Sequence, residues 1–329
     1  MSAAGSDAPG VLVVRPSSLG DIVYALAVAT DIRRQRPELA VDWVAEPGFA
    51  PLVSMCADVR AIVPCNLRRW RGAPFAGRTW REVRAFLHNL RGTRYAAILD
   101  LQEQIKGAAI ARLARGPRHG FDRASIREPL ATLGDDFHHR VPRELHFVER
   151  VRALAGAALG YRVDGLPVWK LVPPAASRAM PSRPYVMLLH GTSRNEKLWA
   201  EDDWRALIER CEGAGYVCVL PWGDGAEEAR SHRLAAGFDL AAVPPRLSVP
   251  EVAAMLARSQ LAVGVDTGFT HLAAALGTPT IAIFCATDRR RHGVACAGPH
   301  AEDLGDAGAP ASREQVIAAA GRLLPIAPD

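Results

Sequence analysis

The feature that most constrains this chain is an alternation that runs through it twice. Short apolar runs are separated by amphipathic stretches of ten or more residues. Short apolar runs bounded by turn signals fit buried strands, and the longer stretches fit helices. In the first half, strands are expected at 11–15, 41–45, 61–64, 95–100 and 118–121, and helices at 21–34, 78–89, 105–114 and 144–157. Crossovers of that length dictate a parallel sheet covered on both faces. A Pro- and Ser-bearing stretch, 165–184, reads as a linker. The pattern then restarts, with strands at 185–190, 216–221, 261–265 and 279–284 and helices at 202–212, 225–236, 249–257, 268–276 and 312–323. Glu201 or Asp202 can cap one of these helices and Ser248 another. The fold class this implies is α/β, with two doubly wound, Rossmann-like domains, 1–170 and 171–329, facing a cleft. Ligands of such sheets bind beyond the carboxyl ends of the strands.

Length and composition agree. A chain of 329 residues suggests two domains, and 49% hydrophobic residues supply a core for each. No stretch reaches the length of a membrane span. The start, MSAAGSDAPG, lacks the basic and apolar regions of a signal peptide, so a cytoplasmic protein is expected. Six cysteines without CxxC spacing read as reduced thiols rather than a metal site. No GxGxxG and no GxxxxGK[ST] occurs, which leaves a nicotinamide fingerprint and a P-loop unsupported.

Charge is unevenly placed. Residues 1–170 hold 25 Lys and Arg against 17 Asp and Glu, whereas 171–329 hold 15 against 18. Between Arg68 and Arg94, eight arginines face one acid, Glu82. Planar guanidinium groups suit phosphate or carboxylate, although a solvated basic face has the same composition. A nucleic-acid partner is not expected, because no aromatic recognition motif accompanies the run and the second half is acidic.

Four stretches carry candidate chemistry. In "RPSSLGD" (15–21), a loop after the first strand delivers Asp21 to a helix start. Asp21 there can be a helix N-cap or a general base, and the helix dipole that favours the first role weakens the second. In "HGTSRNEK" (190–197), Thr192 and Ser193 offer hydroxyl and backbone donors, and Lys197 adds a mobile charge suited to a pyrophosphate. In "LPWGDGAEE" (220–228), Glu227 can accept from both hydroxyls of a ribose or lie solvated in a first helical turn. In "DTGFTHLAAALGTPTIAIF" (266–284), a strand ends at Asp266, Thr267 and Gly268 open a helix, and His271 sits on its first turn. Free N–H groups at that helix end can hold a phosphate.

These stretches together resemble the lipopolysaccharide heptosyltransferases, glycosyltransferase family 9, bacterial enzymes of the GT-B type. "SSLGD" at 17–21, the H-x-T-x-x-x-x-K form of 190–197 and the run 266–284 carry the likeness, which extends from Val11 to about Asp288. "RRWR" at 68–71, "HGFD" and "REPLA" within 119–131, "HFVER" at 146–150 and "LPWG" at 220–223 point to the type I branch, which adds the first heptose to Kdo. Gly191 departs from the pattern, where a small residue such as Ala is expected, and the run 289–300 matches nothing.

The resemblance implies an inverting transfer of heptose from ADP-heptose to the Kdo of Kdo2-lipid A. Asp21 would be the catalytic base. Thr192, Ser193, Lys197, Glu227, Asp266, Thr267, Gly268 and His271 would bind the donor. Ser17, Ser18, Arg68, Arg69, Arg71, Lys106, Arg127 and Arg150 would meet the acceptor. No metal or other cofactor is expected, because Lys197 and a helix dipole can stabilise the departing diphosphate. A lipid-embedded acceptor implies peripheral work at the cytoplasmic face of the inner membrane. A type II member, a protein-glycosylating member and, in another class, a nucleotide-sugar epimerase remain the alternatives.

Overall fold

The protein is described by a computed structural model covering residues 9–174 and 179–324. Its contacts separate two units, Met1–Val172 and Pro173–Asp329. The first runs β1 (Gly10–Val14), α1 (Leu19–Gln35), β2 (Ala40–Ala45), α2 (Ala50–Ser54), β3 (Val59–Pro64), α3 (Leu67–Gly72), α4 (Gly77–Gly92), β4 (Ala97–Asp100), α5 (Ile105–Leu113), β5 (Arg118–Phe121), β6 (Phe137–His139) and α6 (Phe147–Leu159). Its sheet has the order β3-β2-β1-β4-β5-β6, and every pairing is parallel. β1, GVLVV, is buried throughout because both of its faces are covered. On one side Leu12, Val14, Val44 and Ile98 of the sheet pack with Phe86 and Leu90 of α4 and Ile110 of α5. On the other, α1 packs against α6, tied by a buried ion pair of Arg152 Nε to Asp31 Oδ2 at 2.6 Å.

The second unit runs β7 (Tyr185–Leu189), α7 (Glu201–Gly213), β8 (Val217–Val219), α8 (Gly225–Ala235), β9 (Ala241–Ala242), α9 (Val249–Leu256), β10 (Leu261–Val265), α10 (Gly268–Ala275), β11 (Thr280–Phe284), α11 (Arg289–His292), β12 (Ala301–Gly305) and α12 (Arg313–Leu323). Its order, β12-β11-β10-β7-β8-β9, repeats the topology of the first unit. In each unit the winding reverses beside the first strand, between β1 and β4 and between β7 and β10. That switch point is where doubly wound sheets open a crevice for ligands.

Several expectations change. Part of the 165–184 linker, 175–178, lies outside the described residues, and the piece before it is not free. Trp169 Nε1 donates to Val23 O at 2.7 Å, and Val172 N to Met55 O at 2.8 Å, so 165–172 is strapped to the first unit. Ala200, not Glu201 or Asp202, is the N-cap of α7, because the Glu201 carboxylate turns to Arg233 at 2.7 Å. Ser248 does cap α9, in a capping box with Glu251. The edge strands β6, β9 and β12 are too short or too polar to stand out as apolar runs. The run 289–300 holds α11 and leads into β12.

Candidate active site

In the first unit, the loop from β1 and the loop from β4 converge on the switch point. Ser18 is the N-cap of α1, and Asp21 is the third helical residue, completing a capping box rather than serving as the cap itself. Asp21 Oδ2 accepts from Ser18 Oγ at 2.8 Å and from Ser18 N at 3.2 Å. The same oxygen meets Arg15 Nη2 at 2.6 Å, yet the Asp21 side chain stays 30% exposed. Burial works against its charge, but the Arg15 guanidinium and the Ser18 donors outweigh it and hold the carboxyl below its ordinary range.

Arg15 is itself locked in place. It donates to Leu101 O and lies 4.9 Å from the Phe147 ring centre. Lys106, from the first turn of α5, donates to Ser17 Oγ at 3.1 Å. Its pKa is lowered, chiefly by burial and also by Arg15 and Arg68, against the opposing influence of Glu46 and Asp21. Arg68 of α3 reaches Glu46 Oε2 at 3.2 Å, so α3 leans over the end of β2.

In the second unit, the loops after β7 and β10 meet in the same way. Lys197 Nζ lies 2.5 Å from Asp266 Oδ2, and His271 Nε2 lies 3.2 Å from Asp266 Oδ1. Burial pushes the Asp266 carboxyl up, but His271 and Lys197 more than reverse it, and the group is firmly ionised. Thr192 Oγ1 donates to Asp266 O at 3.3 Å, stitching the two loops together. Thr267 caps α10 with no side-chain bond of its own, and Lys197 is paired with Asp266, the residue just before that cap. His190, fully buried, sits 2.8 Å from Ser231 Oγ and is pushed down to about 4 by burial and by Arg230, so it is neutral at pH 7.

Glu227, at the start of α8, accepts from Gly223 N at 2.7 Å, while Asp224 caps that helix. A Cβ on Gly191 would overlap the Glu227 carboxylate. The absence of a side chain at 191 therefore has a physical reason: the carboxylate lies flush against the loop backbone.

A family model described as glycosyltransferase family 9 (heptosyltransferase) matches residues 83–314. The chain belongs to glycosyltransferase family 9. It is 40% identical over 281 residues to lipopolysaccharide heptosyltransferase 1 of Salmonella typhimurium, covering 84% of this chain and 89% of that protein. It is also similar to the Escherichia coli heptosyltransferase WaaC solved with ADP, with a TM-score of 0.84 and 35% identity over 95% of this chain and 98% of that one. The same enzyme solved with ADP-2-deoxy-2-fluoro heptose matches at a TM-score of 0.81 and 35% identity, over the same shares of the two chains. The fold class is thus the GT-B type expected, and the chain is a heptose-transferring enzyme.

Within this glycosyltransferase the expected acceptor residues divide. Ser18 bonds Asp21, Lys106 bonds Ser17 and feels the Asp21 charge, and Arg68 lies within electrostatic reach of Lys106. Arg71 and Arg127 are exposed, with no ion-pair partner among the described residues. Arg69 is occupied by Glu82. Arg150 stands apart from them: it is buried, bonds both oxygens of Glu103 at 2.9 and 3.1 Å and donates to Ser125 O at 2.7 Å. A guanidinium buried in this way, with both Nη atoms engaged, acts as a structural tie. The sequence signal for Arg15, the partner of Asp21, is a cation just after the first strand and six residues before the acid, and that for Glu46, the partner of Arg68, is an acid just after the second. Ser193 lies exposed on its loop.

Proposed function

We propose that the enzyme transfers heptose from ADP-heptose to a Kdo hydroxyl of Kdo2-lipid A, with inversion, as a type I enzyme at the membrane surface. The observation that carries this reading is the accessible carboxylate of Asp21 at the first switch point, held ionised by Arg15. Inversion needs one displacement. The acceptor oxygen forms its bond to the anomeric carbon, the bond to the ADP oxygen breaks, and the hydroxyl proton passes to Asp21. A low-pKa carboxylate is a weak base, so it takes the proton late, as the new C–O bond forms. Lys106 and Arg68 line that side with positive charge suited to the Kdo carboxylate.

On the donor side, Lys197, Thr192, Ser193 and the start of α10 at Thr267 and Gly268 would meet the diphosphate as charge develops on it. Fixed donors aimed at developing charge are often the largest catalytic contribution. Lys197 has three donors and can keep Asp266 while binding phosphate. Asp266 and His271 would line the pyrophosphate and sugar, and Glu227 would hold the adenosine ribose. The first unit would then be the acceptor domain and the second the donor domain.

The test is transfer of label from ADP-heptose to Kdo2-lipid A by the wild type and by Asp21→Asn. Asparagine keeps the size and an acceptor for Ser18 but cannot take a proton. We expect kcat to fall by ~10²–10⁴-fold, the usual range for loss of a general base. Near-normal turnover in a folded variant would return Asp21 to a purely structural place in the capping box.

A further inference from the structure

Among the described residues, every large apolar side chain left exposed lies in the first unit. The extreme case is Phe75, 90% exposed, in the turn between α3 and α4, followed by Trp80, 64% exposed, in the first turn of α4. Neither serves the core, because α4 buries Thr79, Phe86 and Leu90 instead. Since α4 follows β3 and returns toward β4, its first turn stands at the carboxyl edge of the sheet, the edge that carries Asp21. Ile105, which opens α5 at the same edge, is also exposed. α5 packs against α4 and against the 3₁₀ turn Pro129–Gly134, which carries the exposed Leu130 and Leu133.

The charge around this corner is one-sided. Arg71, Arg78, Arg81 and Arg84 are exposed, and Arg81 and Arg84 have no ion-pair partner among the described residues. Glu82, the one acid between Arg68 and Arg94, is held by Arg69, Arg78 and Trp70 Nε1. Its charge is answered within its own elements, and the outward field is positive.

We propose that the α3–α4 corner is a docking surface for an anionic phospholipid bilayer, with Phe75 and Trp80 entering the interface and Arg78, Arg81 and Arg84 meeting headgroup phosphates. This deepens the reading that the acceptor is lipid-borne and rests on it. Protruding aromatic side chains ringed by guanidinium groups suit a deformable, negatively charged, amphipathic surface. Indole rings settle at headgroup level, and cations near anionic lipid add an attraction that decays within a Debye length.

The experiment is co-sedimentation of the full chain with vesicles of phosphatidylglycerol and phosphatidylethanolamine, and with vesicles of phosphatidylcholine alone, neither containing acceptor. The wild type should prefer the anionic vesicles and lose that preference in high salt. The double variant F75S/W80S should bind them about 10-fold or more less tightly, since each lost ring forfeits a buried apolar surface. R78Q/R81Q/R84Q should weaken binding and flatten its salt dependence. F75S/W80S should retain wild-type turnover on a water-soluble, deacylated acceptor and lose turnover on an acceptor held in vesicles. Vesicle binding equal to wild type in F75S/W80S would overturn the proposal. So would wild-type indifference to lipid charge, or self-association through the corner without vesicle binding. Because the vesicles carry no acceptor, a failure of heptosyl transfer and a failure of docking are read separately.

Discussion

Asp21 illustrates how one side chain is set between opposed influences. Burial favours its neutral form, while Arg15 at 2.6 Å and the Ser18 donors favour the carboxylate, and the second group prevails. Removing the cation must then raise the pKa. A base works only when deprotonated, so the acid limb of the rate profile should move to higher pH in Arg15→Gln. A pH profile of kcat/KM checks this, and an unmoved limb would detach Arg15 from the titration. Gly191 makes a second residue-scale case. In Gly191→Ala the new Cβ would displace the Glu227 carboxylate from its place against the loop. If Glu227 holds the ribose, ADP should bind ~2–10-fold more weakly, the scale of one net hydrogen bond. Calorimetry with ADP reads it directly, and an unchanged Kd would free Glu227 from that role.

At the scale of elements, α3 is a short helix that presents three arginines with three different fates. Arg68 leans on Glu46 near the Asp21 loop, Arg69 is spent on Glu82, and Arg71 is exposed and unpaired among the described residues. The acceptor should therefore feel Arg68 and Arg71 most. We expect Arg68→Gln and Arg71→Gln each to raise acceptor KM by the equivalent of ~1.5–3 kcal/mol, the range for hydrogen bonds to charged groups, with donor KM unchanged. Arg69→Gln should act mainly through stability, and weakly, as a partly exposed ion pair does. Steady-state kinetics with both substrates varied, together with melting curves, separates the two behaviours. Equal acceptor KM in the Arg68 and Arg71 variants and the wild type would remove α3 from the acceptor site. Arg150 differs in kind: it joins the start of α6 to Glu103, beyond β4, and both partners are buried.

At the scale of the whole molecule, the first unit carries an unusual internal cost. Asp100, at the end of β4, is pushed up to about 8 by burial, with Asp135 adding to it, and Asp135 is pushed up to about 7 by burial. Asp100 Oδ2 and both Asp135 oxygens are buried without a hydrogen-bond partner. Folded carboxyls with raised pKa hold protons that the unfolded chain has released, so stability falls as pH rises from about 4 through 7 and 8. Asp21 and Asp266 pull the other way only at acid pH, whereas His190, His119 and His139, whose pKa values burial lowers, add stability as pH rises to the ordinary histidine range and so offset the carboxyls below about pH 7. Thermal unfolding should thus show Tm declining from about pH 7 to pH 8, and Asp100→Asn or Asp135→Asn should flatten that decline. A Tm that holds steady across this range in the wild type would contradict it.

The sequence by itself determined the two doubly wound units and the family, because strand hydrophobicity, helix length and the 266–284 signature are local patterns. The strand and helix expectations around Val11, Asp21, Leu261 and Gly268 hold within a residue or two for the same reason. The short edge strands and the strap at 165–172 were not legible, since their place depends on backbone partners far along the chain. The same limit governs the site. That 190–197 and 266–271 share one crevice follows only when β7 and β10 pair. Nothing local distinguishes Arg150, buried on Glu103, from Arg71, open to solvent. Which charges are free to meet a ligand is settled by long-range burial and pairing, and those belong to the tertiary structure alone.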